Sequence, residues 1–271
     1  MIKKLISDIK EKHSFLCVGL DTDIKKIPKF LLEYDDPVFE FNKRIIDNTE
    51  KYCVAYKPNF AFYENNINSL IKTVDYIKKK NVLIIADSKR GDIYNTFKLY
   101  ADNCFSNLGC NAMTVSPYMG TDVFEKISNE YINNVFVILA LTSNQGSKDF
   151  QLLKLGDKYL YEIILEKFGK ISNSLNQIMF VIGATNNILN LKKIREIVPR
   201  NFLLIPGIGH QGGSLADVCD NLMTDDCGII VSSSRSIIYA SEKKDFDLKA
   251  KEAASKLQEE MSNVLLSRNI I

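Results

Sequence analysis

A single (β/α)8 TIM barrel is the fold class this sequence predicts, and three observations carry the prediction. Eight short apolar runs, rich in β-branched and aromatic residues, recur along the 271 residues; each is too short for a helix and reads as a strand buried on both faces. Between the runs the apolar spacing changes to a helical period. No linker or low-complexity stretch divides the chain. Together these favour one barrel domain over residues 1–271, rather than a doubly wound open sheet.

The elements follow in order. In MIKKLISDIKEKHS, Ile2, Leu5, Ile6 and Ile9 fall at helical spacing with charges between them and no long apolar stretch, which gives an amphipathic helix over residues 1–12 rather than a signal peptide. The strands are FLCVGLD from 15, VAYKPNF from 54, VLIIADSK from 82 and AMTVSPY from 112, then VFVILALT from 135, IMFVIGA from 178, FLLIPGIG from 202 and GIIVSSSR from 228. The longest connection, residues 22 to 53, follows the first strand. Helical stripes fill other gaps: Ile67, Leu70, Ile71, Val74 and Ile77; Phe97, Tyr100, Ala101, Cys104 and Leu108 before Gly109; Ile188, Leu191, Ile194 and Val198; Leu215, Val218 and Leu222. In the charged tail, Leu248, Ala253, Leu257, Met261 and Val264 predict a docking helix over 245–268.

Composition removes several function classes. Thirty-five basic against thirty-three acidic residues give a formal charge of +2, with the lysines scattered rather than blocked, so nucleic-acid binding is not expected. No apolar run approaches the ~20 residues that span a bilayer, and a soluble, cytoplasmic protein is the expectation. Six cysteines without a C-x-x-C pair read as reduced thiols, mostly packing, with Cys17 and Cys53 in or beside strands. His13 and His210 are the two histidines; they offer no zinc spacing, and no Ser/His/Asp order fits the strand ends. Asp217, Asp220, Asp225 and Asp226 read as a solvated helix face and loop.

Barrel enzymes carry their chemistry at the C-terminal ends of the strands. The polar residues placed there are Asp21, Lys57, Asp87, Lys89, Thr142, Ser143, Gln211 and Arg235. Asp87 and Lys89 are two residues apart and share a side of the third strand, while Lys57 ends the neighbouring one. Asp92 lies just beyond, where a turn either returns it to Lys89 or sends it outward. PGIGHQGG and VSSSRS, with four glycines, Ser234 and Arg235, end the last two strands, where barrels bind phosphate with backbone N–H groups and a guanidinium.

In VGLDTD, AYKPNFAFYE, ADSKRGDIYNT, LTSNQGS, PGIGHQGG and SSSRSIIYAS the chain resembles the orotidine 5′-phosphate decarboxylase family, in the branch found in some bacteria and in protozoan parasites. The resemblance implies a catalytic network of Lys57, Asp87, Lys89 and Asp92. In it Lys89 protonates C6 of the pyrimidine as carbon dioxide leaves, Asp87 lies against the departing carboxylate, and Asp92 enters from the partner subunit of a homodimer. It implies that Asp21, Lys57 and Asn59 contact the ribose, that Thr96 crosses the dimer with Asp92, and that Ser143 binds the pyrimidine edge. Gln211 and Arg235 then hold the 5′-phosphate with the Ser234 amide; many relatives have Gly where this chain has Ser234. No metal or organic cofactor is implied. The resemblance leaves open both a free enzyme and one with orotate phosphoribosyltransferase in the same polypeptide or complex; no segment of this chain resembles that transferase.

Interleaved ammoniums and carboxylates keep one another ionised, and an ammonium attracts a developing carbanion more than it attracts the ground state. Two other readings share the barrel: a Mg²⁺-dependent sugar-phosphate lyase of the same superfamily, and a phosphate-ligand-binding barrel without catalysis. Lys57 argues against the first, since its ammonium repels a cation. Both lysines and both aspartates argue against the second.

Overall fold

The computed structural model describes residues 1–172, 177–184, 191–208 and 214–271. Its barrel strands are β1 (Leu16–Leu20), β2 (Ala55–Pro58), β3 (Leu83–Arg90), β4 (Ala112–Val115), β5 (Val135–Leu141), β6 (Ile178–Ile182), β7 (Leu203–Pro206) and β8 (Ile229–Ser233). All pair in parallel with their sequence neighbours, and β1 meets β8 through Leu16↔Val231 and Val18↔Ser233. The sheet is therefore a closed barrel, not the open alternative. Each of the eight predicted runs contains one strand, and β1, β2, β4, β6 and β8 are buried at every position, as continuous apolar runs between barrel interior and helices require.

Around the barrel lie α1 (Ile2–Lys12), α2 (Pro37–Thr49), α3 (Ile67–Lys79), α4 (Tyr94–Ala101), α5 (Asp122–Ile127), α6 (Leu160–Ser172), α7 (Leu191–Ile197), α8 (Leu215–Leu222) and α9 (Phe246–Ser267). The long connection after β1 holds α2, which Pro37 and the Asp36 cap begin: the Asp36 carboxylate accepts the Phe39 N–H at 3.1 Å. Asp36 also accepts from Ser69 at 2.6 Å and Lys72 at 2.9 Å on α3, so one carboxylate ties two helices together. At the other end of the barrel, the Arg195 guanidinium donates to the carbonyls of Leu222, Val198, Asn201 and Gly228, joining the segments that lead into β7 and β8.

Several helical faces differ from the sequence expectation. In α3, Leu70, Val74 and Ile77 are buried while Ile67 and Ile71 face outward. The α9 seam runs through Phe246, Ala250, Ala254, Met261 and Leu265, and Leu248 is exposed. Phe246 stacks on Phe41 of α2 with centroids 4.9 Å apart, and that anchor rotates the helix so that Ala253, Leu257 and Val264 flank the seam. Beyond α4 the chain makes a π-helical turn, Asp102–Asn107, which buries Cys104 and Phe105. Between β5 and α6 an unexpected two-stranded ribbon pairs Lys154–Leu155 with Lys158–Tyr159, turning at Gly156 with φ +65°. Ile188 lies outside the described residues. All six cysteines are buried and unbridged, and burial pushes the Cys17 thiol up to about 12 and the Cys53 thiol up to about 11, which fits packing rather than nucleophilic use.

Candidate active site

The C-terminal end of β3 brings the predicted charges together. Lys57 Nζ donates to Asp87 Oδ2 at 2.7 Å, and Lys89 Nζ donates to Oδ1 of the same carboxylate at 2.5 Å. Simple strand alternation does not produce this geometry. The β3–β4 register shifts between Ala86 and Arg90, and Lys89 sits at φ +46°, a left-handed conformation that costs energy in a residue with a side chain. Thr114 of β4 holds the distortion. Its Oγ1 accepts the Lys89 N–H at 2.9 Å and donates to Asp87 Oδ1 at 3.0 Å, while the Ser88 hydroxyl donates to the Thr114 carbonyl at 3.2 Å.

The three charges differ in their surroundings. The side chains of Lys57 and Asp87 are 9% and 8% exposed, against 50% for Lys89, so Lys57 and Asp87 form a buried base from which Lys89 reaches into the cleft. Burial opposes ionisation of Asp87, but the Lys57 and Lys89 ammoniums overcome it and hold the carboxyl well below the usual range. Burial likewise opposes the charge on Lys57, and Asp87 and then Asp21 raise its affinity for the proton. Both groups are therefore charged at neutral pH. Among the described residues no cluster of His, Cys, Asp and Glu is arranged to hold a metal ion.

These residues line a cleft of about 470 Å³ at the barrel mouth, with Asp21 and Asn59 on one side, Ser143 on another, and Ser234 and Arg235 on a third. The volume suits a small organic ligand. Asn59 bridges to Asp87 along the strand ends, and its Oδ1 accepts the Ala61 N–H at 3.3 Å. Asp21 Oδ1 is buried with no hydrogen-bond partner among the described residues. Thr142 is fixed by Gln151, whose Oε1 accepts the Thr142 N–H at 2.7 Å, and Ser143 follows it into the cleft wall. Ser234 starts the single helical turn Arg235–Ile238, and its hydroxyl donates to the Gly19 carbonyl at 3.1 Å. Gly19 permits that approach: a Cβ there would lie 2.8 Å from Ser234 Cβ. Gln211 lies outside the described residues, as do His210 and three of the glycines of PGIGHQGG.

Asp92 and Thr96 do not join the cleft of their own chain. The Asp92 carboxylate accepts the N–H of the next residue, Ile93, at 2.8 Å, and Thr96 follows on α4. Thr114 is the residue sequence reasoning missed. Its one signal was a polar side chain inside the apolar run AMTV, next to the strand that carries the charges.

A family model described as "Orotidine 5'-phosphate decarboxylase / HUMPS family" matches residues 14–246. An orotidine 5′-phosphate decarboxylase of Christiangramia forsetii is 49% identical over 269 residues, covering 97% of this chain and 98% of its own. One from Porphyromonas gingivalis is 48% identical over 276 residues, covering 99% of each. Among solved structures, Leishmania donovani OMP decarboxylase has a TM-score of 0.81 at 32% identity, over 97% of this chain and 99% of that one. Leishmania donovani UMP synthase has a TM-score of 0.83 at 34% identity, over 96% of this chain but 55% of the longer one.

Proposed function

The chain belongs to the orotidine 5′-phosphate decarboxylase / HUMPS family, and from that premise we propose that it converts orotidine 5′-phosphate to uridine 5′-phosphate and carbon dioxide in pyrimidine biosynthesis. It is a carbon–carbon lyase. The observation that carries the reading is the chain of bonds from Lys57 through Asp87 to Lys89 at the floor of the cleft, in a sequence nearly half identical to full-length decarboxylases.

In the proposed reaction the bond between C6 and the carboxylate breaks, carbon dioxide departs, and the electron pair remains at C6. Lys89 Nζ–H supplies the proton that C6 takes up, and the resulting amine is reprotonated from solvent. The ammonium interacts more strongly with charge developing at C6 than with the ground state, the differential binding that catalysis requires. Asp87, with both oxygens engaged by cations, keeps Lys89 charged and aimed, and it is assigned a place against the departing carboxylate. Asp21, Lys57 and Asn59 are assigned to the ribose and Ser143 to the pyrimidine edge. Arg235, Gln211 and the Ser234 amide are assigned to the phosphate; the Arg235 side chain has no ion pair among the described residues. Phosphate binding, remote from the reacting carbon, supplies energy for ordering the site.

The proposed assembly is a homodimer in which Asp92 and Thr96 complete the partner's cleft. Asp92 does not line the cleft of its own chain, which supports this, and so does its neighbour Ile93, a large apolar side chain 66% exposed. The likeness to UMP synthase favours a companion orotate phosphoribosyltransferase, joined or associated. A cytoplasmic location is proposed with it; no helix among the described residues is long and apolar enough to cross a membrane. A magnesium-dependent lyase is disfavoured by the Lys57 ammonium bonded to Asp87, which repels a cation at that carboxylate.

The test is to incubate purified protein with orotidine 5′-phosphate in the presence of a chelator and follow the loss of substrate absorbance and the release of uridine 5′-phosphate. Chelator-insensitive turnover is expected. No turnover would reject the assignment.

A further inference from the structure

The segment that carries Asp21 is anchored from several sides. Tyr63 donates its hydroxyl to the Leu20 carbonyl at 2.9 Å, and the Thr22 hydroxyl donates to Asn42 Oδ1 at 2.6 Å. Asn42 in turn donates to Tyr63 and to Thr73, both at 3.0 Å. The remaining anchor comes from the opposite edge of the barrel seam. The Tyr239 hydroxyl donates to the Asp21 carbonyl at 2.9 Å and accepts the Asp23 N–H at 2.7 Å, so one oxygen fixes both ends of a three-residue span. Tyr239 immediately follows the turn Arg235–Ile238. The Ser234 hydroxyl makes a second link from the same turn, to Gly19.

Ring packing alone does not require a phenol at Tyr239. Its ring packs on Phe41, with centroids 5.9 Å apart and planes at 30°, and a phenylalanine would keep that contact. What the hydroxyl adds is the bridge across β8 and β1. Burial pushes the phenol up to about 12, so it remains a donor at every pH at which the protein would be assayed. The segment it steadies carries Asp21, which lines the cleft and whose Oδ1 is buried and unpartnered among the described residues. A carboxylate at a cleft wall with an oxygen that no protein donor satisfies calls for a partner, and a ligand hydroxyl can bond that carboxylate.

We propose that Tyr239 is a positioning residue: its hydroxyl holds the Asp21 carboxylate in place for the substrate's sugar hydroxyls, and does so from the turn that carries Arg235, so that sugar and phosphate recognition share one rigid unit. The inference rests on the assignment of the cleft to a ribonucleotide. It gives Tyr239 a role that acts through Asp21, and it predicts that the two residues are coupled.

A double-mutant cycle tests it. Wild type, Tyr239→Phe, Asp21→Ala and the double variant are compared for kcat and KM with orotidine 5′-phosphate and for affinity toward uridine 5′-phosphate, with folding checked by thermal melts. Tyr239→Phe should lower kcat/KM and product affinity by about fivefold to 150-fold, the worth of the two hydrogen bonds it removes. The double variant should match Asp21→Ala alone, because the hydroxyl has nothing left to position. Losses that multiply, or a Tyr239→Phe variant with wild-type kinetics, would overturn the inference while leaving the functional reading intact. Absence of wild-type turnover and of nucleotide binding would overturn both.

Discussion

Thr114 Oγ1 accepts the backbone N–H of Lys89 and donates to the Asp87 carboxylate, so a single hydroxyl controls both the path of the chain at the proposed proton donor and the rotamer of its counter-ion. A hydroxyl has one hydrogen and two lone pairs, and this arrangement uses the hydrogen on Asp87 and a lone pair on Lys89. The left-handed backbone of Lys89 persists because this contact and the β3–β4 register hold it.

Thr114→Val keeps the shape and removes both bonds. The Lys89 N–H then lacks an acceptor, which costs about 1–3 kcal/mol, and the backbone relaxes away from φ +46°. Turnover should fall by roughly 5- to 150-fold, the rate equivalent of that cost, with a smaller change in KM. Thr114→Ser, which retains the hydroxyl, should recover most of the rate. Steady-state kinetics of the two variants decide it: a Thr114→Val variant as active as or more active than Thr114→Ser would show that the hydroxyl is not what matters.

Asp87→Asn should make stability depend on pH in a direction that wild type does not show. In wild type, the lowered Asp87 pKa contributes stability that is lost only in strong acid, and the raised Lys57 pKa contributes stability that is lost only in strong alkali. Neither changes across the neutral range. Without the carboxylate, buried Lys57 keeps Asp21 as its remaining anion, and burial lowers its folded pKa below the unfolded value of about 10.4. Below that value the unfolded chain binds more protons, so stability should rise with pH. Thermal melts of the variant at a series of pH values from neutral to about 10 should show increasing Tm toward the unfolded lysine pKa. A flat profile would mean that Lys57 is not desolvated as the structure has it.

Arg235→Ala should act on binding rather than on the proton transfer. A charge-assisted hydrogen bond is worth about 1.5–3 kcal/mol, so KM should rise by roughly 10- to 150-fold, with a further loss in kcat where phosphate binding helps order the site. Unchanged kinetics would place the phosphate elsewhere.

Much of this was legible in the sequence because it follows from local periodicity and strand position. The eight apolar runs mark the barrel, and their polar ends mark the cleft, which is why Lys57, Asp87 and Lys89 could be named before their bonds were seen. What escaped depends on contacts between distant segments. Thr114 inside AMTV looks like any β-branched strand residue, and only register places it over Asp87. Tyr239 looks like core. Leu248 suits the helical period of α9, but the Phe41–Phe246 stack selects a different face. The direction of Asp92 was open because the turn after β3 is set by Lys89, whose left-handed backbone no residue preference announces.

Gly183 is a packing constraint on the Thr142–Ser143 wall of the cleft. A Cβ there would lie 2.7 Å from Ser143 N and 2.8 Å from Ser143 Cα, contacts that backbone atoms can relieve only by moving. Gly183→Ala should therefore displace the Thr142–Ser143 segment, costing about 1–3 kcal/mol of stability as overpacking does and raising KM. Melting curves and kinetics read the two effects separately. A loss of stability with unaltered KM would remove Ser143 from the substrate contacts.

The course of Asp92 leads to the sharpest prediction. In its own chain the carboxylate accepts the Ile93 N–H and stands outside the cleft, so if it completes a site, that site belongs to another subunit. Lys89→Ala and Asp92→Ala should each be nearly inactive, with Lys89→Ala still binding uridine 5′-phosphate. When the two are mixed and subunits exchange, each heterodimer has one site lacking both residues and one that draws Lys89 from one chain and Asp92 from the other. Random reassortment of an equal mixture makes half the dimers mixed, each with one intact site of two, so about a quarter of all sites should recover. Were Asp92 to serve its own chain, every site in every heterodimer would lack one residue. Verified subunit exchange, followed by an activity assay, distinguishes the two: exchange without recovery would refute the shared site.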